Sequence, residues 1–215
     1  PVYAASSGVV LSADNFSLDK AFGNAVLIEH GDKLTSLSAH LSRLDVRMGD
    51  FVQAGQQIGL VGKTGRATGP HLHFEFRNTK SEEILNPMHF GFKKIINDDR
   101  KPVIQGVVAY PLDSTVVNTS QKPINISFSK QSDGSYLSTK VRANGKVAFG
   151  INAYDFCTNA YNKNGLYKVK AYLNGILYYQ YGFDGFTFDE SRYINNFIDY
   201  ERFHLMGQRV QKLFQ

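Results

Sequence analysis

In the first half of the chain the apolar residues recur with a period of two, in short runs separated by turn residues. "NAVLIEH" (24–30), "KLTSLSAHL" (33–41), "QQIGLVG" (56–62) and "HLHFEF" (71–76) read as strands, and "HGDK", "MGD" and "QAGQ" as the turns between them. No amphipathic helix fits among these runs. In "HLHFEF" the alternation predicts Leu72, Phe74 and Phe76 in the core, with His71, His73 and Glu75 on the other face. In "KLTSLSAHL" it sets Leu37, Ala39 and Leu41 against Ser36, Ser38 and His40, so His40 is expected to look into the same cleft from a neighbouring strand.

The second half continues the β pattern. "VIQGVVAYPL", "KPINISFS", "YLSTKVRANGKVAFGINAYDF", "GLYKVKAYLNGILYYQYGF" and "FTFDES" have strand lengths at the intervals of a β-sandwich, with "ANGK" and "LNGI" as Asn-Gly hairpin turns. The last segment, "RYINNFIDYERFHLMGQRVQKLFQ", shows helical spacing in places and no clear stop signal, so a helical tail is expected there.

Charge divides the chain. Residues 1–91 hold 8 Lys/Arg and 9 Asp/Glu, net −1, and residues 92–215 hold 16 and 10, net +6, which together give +5. The shift falls at "KKIINDDRKP" (93–102), which reads as a linker. The expected organisation is a domain over 1–91, a linker over 92–101, a sandwich over 102–200 and a tail over 201–215. A mild basic excess without a recognised nucleic-acid motif describes a solvated surface, and no nucleic-acid partner is expected. No unbroken apolar run reaches the length of about 18 residues that a membrane helix needs. The chain opens on "PVYAASSGVV", which has the character of neither a basic start nor a signal peptide. The single cysteine, Cys157, excludes an internal disulfide and a multi-cysteine metal cluster.

The histidines carry the candidate chemistry. Residues i and i+2 of a strand lie about 6.5–7 Å apart, a spacing that suits one metal ligand with an acid/base beside it. A neutral imidazole can ligate zinc while another hydrogen-bonds to a metal-bound water or a developing oxyanion, and that division of labour is hydrolytic. His30, His89 and His204 read as ordinary surface or hydrogen-bonded residues.

The order "PVYAASSGVV … NAVLIEHGDKLTSLSAHLSRLDVRMGDFVQAGQQIGLVGKTGRATGPHLHFEF … NP" resembles the lysostaphin-type, or LytM-like, zinc endopeptidases that cleave peptides of peptidoglycan. The resemblance covers about residues 1–90. It implies an all-β fold, a duplicated-hybrid-motif antiparallel domain with a groove, and one zinc ion in a complete site. It also implies that His73 is a metal ligand and that His71 and His40 orient the water and stabilise the oxyanion. The family's first two ligands, a His and an Asp in HxxxD, precede the segment matching "PVYAASSGVV". They are expected upstream of Pro1, and none of Asp14, Asp19 or Asp32 takes their place. Gly62, Gly65 and Gly69 are expected to shape the turns before the histidine strand.

Residues 102–200 resemble, more loosely, the immunoglobulin-like C-terminal region of Bacteroidetes-type envelope members of that family. The implied setting is the periplasm or cell envelope, reached by a signal sequence outside this chain. The implied partners are a peptidoglycan peptide and, through the C-terminal domain, other envelope proteins. Two alternatives stay open. One is a metal-free binding or scaffolding module that serves an envelope assembly. The other is a carrier or phosphotransfer module, for which "VRMGDFVQAGQQIG" speaks, although no lysine stands at a hairpin tip.

Overall fold

A computed structural model describes residues 1–15, 20–96 and 98–214. Asp19 lies outside the described residues, as does Asn97 of the linker segment. The contacts divide the chain into two compact units, 1–93 with 184–188, and 94–183 with 189–215.

The first unit is built from β1 (Val2–Tyr3), β2 (Gly8–Asn15), β3 (Asn24–Glu29), β4 (Leu34–Ala39), β5 (Arg43–Leu44), β6 (Phe51–Val52), β7 (Gln57–Leu60), β8 (His73–Asn78) and β9 (Ile84–Leu85). A seven-stranded sheet runs in the order strand Gly185–Phe186, β9, β8, β4, β3, β2, β6, beside a three-stranded sheet β1-β7-β5. The pairings within both sheets are antiparallel, so the all-β antiparallel reading holds. The edge strand Gly185–Phe186 comes from a stretch whose pattern placed it with the second half, and "FTFDES" is strand only at its start. Phe188–Ser191 is a short helix.

Both faces of the central strands are covered. Val26 and Ile28 of β3 enter one apolar cluster with Val10, Val52 and Ile58, while Ala25 enters another with Leu37 and Ala39. Directly opposed residues of an antiparallel pair share a face, and the register sets Ser38 against Phe74, Ser36 against Phe76, Ala39 against His73 and Leu37 against Glu75. The serines therefore back the phenylalanines, and His73 shares its face with Leu37 and Ala39. This corrects the expectation that the Ser36/Ser38 face forms the histidine cleft. Leu72 is also misplaced by simple alternation: it is 39% exposed, because regular strand begins only at His73.

The second unit has a four-stranded antiparallel sheet of Ile124–Ile126, Val103–Pro111, Val147–Tyr154 and Val210–Lys212, in that order. Two-stranded pairs join Val116–Val117 to Ala143–Asn144, Phe128–Lys130 to Tyr136–Ser138, and Lys168–Leu173 to Ile176–Gly182. Asn174 and Gly175 both have positive φ and close the last hairpin, as an Asn-Gly turn should. "ANGK" does not act this way, since Ala143–Asn144 pairs with Val116–Val117 and not with the strand that follows it. Near the C-terminus, helix Tyr200–Met206 starts at Asp199, whose side chain accepts from the Arg202 N–H, and stops at left-handed Gly207. That glycine is the stop signal that apolar spacing alone did not reveal.

Candidate active site

His40, His71 and His73 come together in the first unit. The His40 and His71 ring centroids are 4.8 Å apart, and those of His40 and His73 are 5.6 Å apart. Three different local devices deliver them. His73 is the first residue of β8, opposite Ala39. His71 sits outside the strand, in an isolated antiparallel bridge to Gly62, whose carbonyl accepts from the His71 backbone N–H at 3.1 Å.

His40 follows β4 with a φ of 62°, a conformation that costs a non-glycine residue about 1–2 kcal/mol. Strict alternation from β4 would have placed residue 40 on the serine face, away from His73. The left-handed turn breaks that alternation at the strand end. It is held by the His40 N–H donating to Phe22 O at 2.9 Å and by the ring donating from Nδ1 to Thr64 O at 2.9 Å. His40 is buried as a result, at 7% exposure.

The "GKTG" loop is fastened to this corner. Thr64 Oγ1 donates to Leu41 O at 2.9 Å and accepts from the Asn24 N–H at 3.0 Å. A Cβ on Gly62 would lie 2.3 Å from Ser42 N and 2.7 Å from His40 O, so only glycine lets the loop approach the backbone under His40. Gly65 combines φ of 71° with a Cβ position 2.3 Å from Ala21 O, whereas Gly69 faces open space. The three glycines thus differ in what they contribute, which spacing did not distinguish.

Hydrogen-bond partners fix which ring nitrogens are protonated. Carbonyls accept from Nδ1–H of His40 (Thr64 O) and of His71 (Gly69 O, 2.9 Å), leaving Nε2 bare in both. In His73 the roles reverse. Nε2–H donates to Glu75 Oε1 at 2.5 Å and Nδ1 is the bare nitrogen. Each ring therefore has one nitrogen held by the protein and one available for chemistry.

Glu75 shares the face of His73, as alternation predicts. It is 6% exposed, and its second oxygen accepts from Arg77 Nε at 2.7 Å. Burial pushes its carboxyl upward, but the hydrogen bonds from His73 and Arg77, with the charge of Arg77, outweigh that and hold it below the ordinary value. Phe22, from the loop before β3, lies 5.4 Å from the His73 ring and 5.5 Å from the Arg77 guanidinium carbon. Thr64, Arg77 and Phe22 were not marked by the histidine pattern. Thr64 lies in "GKTG" ahead of the histidine strand, and Arg77 continues the two-residue spacing from His73.

The other histidines have structural partners. His30 donates from Nδ1 to Ser7 O and accepts at Nε2 from Ser36 Oγ, His89 pairs with Asp184 at 2.8 Å, and His204 stacks on Tyr200. Among the described residues, no group of three or more His, Cys, Asp or Glu side chains is arranged to hold a metal ion. Each of the three converging rings offers one bare nitrogen. The described side chains by themselves do not complete a catalytic zinc site, which takes three protein ligands.

The model of Peptidase family M23 matches residues 1–87. Peptidoglycan DD-endopeptidase ShyA of Vibrio cholerae serotype O1 is 47% identical over 75 residues, covering 35% of this chain and 17% of that protein. Peptidoglycan DD-endopeptidase ShyC of the same organism is 45% identical over 122 residues, covering 57% and 25%. The catalytic domain of lysostaphin from Staphylococcus simulans matches at 39% identity and a TM-score of 0.39, covering 42% of this chain and 68% of that one. The chain spans 17–25% of the length of the two Vibrio relatives. Convergence of the "AHL" and "HLH" histidines and the sequence matches concern the same stretch, and through residues 1–87 the chain belongs to peptidase family M23.

Proposed function

We propose that this chain is part of a zinc-dependent endopeptidase that hydrolyses peptide bonds in peptidoglycan. The observation that carries the reading is the meeting of three imidazoles, each anchored through one nitrogen and bare at the other. The matched relatives whose names state peptidoglycan endopeptidase activity support the substrate class.

In this reading His73 supplies one ligand through Nδ1, and a His and an Asp from sequence preceding Pro1 supply the others. Zinc in such a site supplies a polarised carbonyl and a water whose pKa is near 7. His40 and His71 hold bare Nε2 atoms, which can accept a proton from an attacking water and, once protonated, donate to the oxyanion that develops on the scissile carbonyl. No serine or cysteine nucleophile is required. The second unit is read as an immunoglobulin-like module that docks or positions the enzyme in the cell envelope, with other envelope proteins as its partners. Among the described residues no helix is long and apolar enough to cross a membrane.

Purified cell wall tests the reading. A chain extended upstream through an HxxxD segment is expected to release peptide amino groups from peptidoglycan, to stop when a chelator removes the metal, and to resume when zinc is returned. His73→Ala in the extended chain is expected to release none. If the extended chain is inert with zinc present, the metal-free binding module replaces the enzyme.

A further inference from the structure

His73, Glu75 and Arg77 stand at successive same-face positions of β8 and form a continuous line of hydrogen bonds. Glu75 is buried and Arg77 is largely covered, their side chains being 7% and 14% exposed. Arg77 Nη2 is buried without a hydrogen-bond partner, so the guanidinium is not held by a second polar contact on that nitrogen. Aromatic rings hold it instead. Its central carbon lies 5.5 Å from the Phe22 ring centroid and 5.4 Å from that of Phe188. Phe188 belongs to the returning segment 184–188 of the first unit. That segment is tied down by the pairing of Gly185–Phe186 with β9 and by the Asp184 contacts to His89 and to the Asn86 N–H.

We propose that Glu75, Arg77 and Phe188 are positioning residues for His73. The carboxylate keeps the ring proton on Nε2 and offers the bare Nδ1 to the space shared with His40 and His71, and Arg77, gripped between Phe22 and Phe188, fixes the carboxylate. The role in metal binding rests on the peptidase reading, whereas the proton position does not. A carboxylate or carbonyl behind a metal-ligating imidazole sets its tautomer and orientation in this way. The outermost brace comes from a segment far downstream, outside the stretch 1–87, so that stretch does not contain the whole support of its own histidine.

The test is nitrogen-15 NMR of the labelled 215-residue chain at a pH where the imidazoles are neutral. His73 is expected to show a slowly exchanging Nε2–H and an unprotonated Nδ1. The double variant Glu75→Leu, Arg77→Leu removes both charges while keeping buried volume, and is expected to lose the protected Nε2–H. Phe188→Leu is expected to keep the proton but speed its exchange. In an extended, zinc-competent chain the double variant is expected to bind zinc about 10–100-fold more weakly. A protected Nε2–H that survives the double substitution, a proton on Nδ1 in the unmodified chain, or unchanged exchange in Phe188→Leu overturns the proposal. Should the double variant not fold, Phe188→Leu decides. If His73 shows the expected proton but the extended chain cleaves no peptidoglycan, the positioning holds and the peptidase reading falls.

Discussion

His71→Ala in the extended chain is expected to lower the turnover of peptidoglycan about 10²–10³-fold, the usual consequence of removing one donor to a developing oxyanion. Its stability is expected to stay within about 0.5 kcal/mol of the unsubstituted chain. Both expectations come from where the ring sits. His71 is exposed, its Nδ1–H bond goes only to the nearby Gly69 carbonyl, and its backbone bond to Gly62 survives the substitution. Turnover on cell-wall peptide and urea unfolding of the same preparation check the two halves separately. His40→Ala makes the contrast: it removes a buried ring bonded to Thr64 and leaves alanine at a φ of 62°, so it is expected to lose both turnover and stability. A His71→Ala enzyme with nearly full turnover would remove His71 from the reaction.

Glu75→Ala is expected to destabilise the first unit by about 3–5 kcal/mol, because it strands the buried Arg77 guanidinium without its counter-charge. The cost comes mainly from the unpaired charge. The double substitution of Glu75 and Arg77 by leucine is therefore expected to recover most of the loss, since well-packed apolar pairs often replace buried ion pairs without penalty. The pH dependence has a definite sign. The folded carboxyl lies below the ordinary value of 4.5, so its stabilising contribution is complete above that value and is lost as the pH falls through the lower folded one. The gap between the unsubstituted chain and Glu75→Ala should accordingly be widest at neutral pH and close in acid. Denaturant unfolding at neutral and acidic pH measures it, and a gap that widens on acidification would mean that the folded carboxyl is not depressed.

Period-two alternation was enough to find the strands around the site, because "NAVLIEH", "KLTSLSAHL" and "QQIGLVG" each contain one in the structure and "HLHFEF" overlaps another, which runs on to Asn78. It was not enough to say which face a residue occupies when both faces are covered. Ser36 and Ser38 are buried against the phenylalanine face, and a polar side chain there mimics the pattern of a solvent-facing strand. The histidines were legible as residues, but their meeting depends on one left-handed backbone turn at His40 and on Gly62 beneath it. Neither follows from alternation. The line from His73 to Arg77 was visible as spacing, yet its meaning depends on Phe22 and Phe188, whose positions are set by non-local pairing. The same reason hid the edge strand Gly185–Phe186, which no local pattern connects to β9.

The most direct measurement is the metal environment of the extended chain, read from anomalous diffraction at the zinc edge. One zinc per chain is expected at about 2.0–2.1 Å from His73 Nδ1, with Nε2 still on Glu75. Zinc on Nε2 with Glu75 displaced, zinc bound away from His73, or no zinc at all would contradict it.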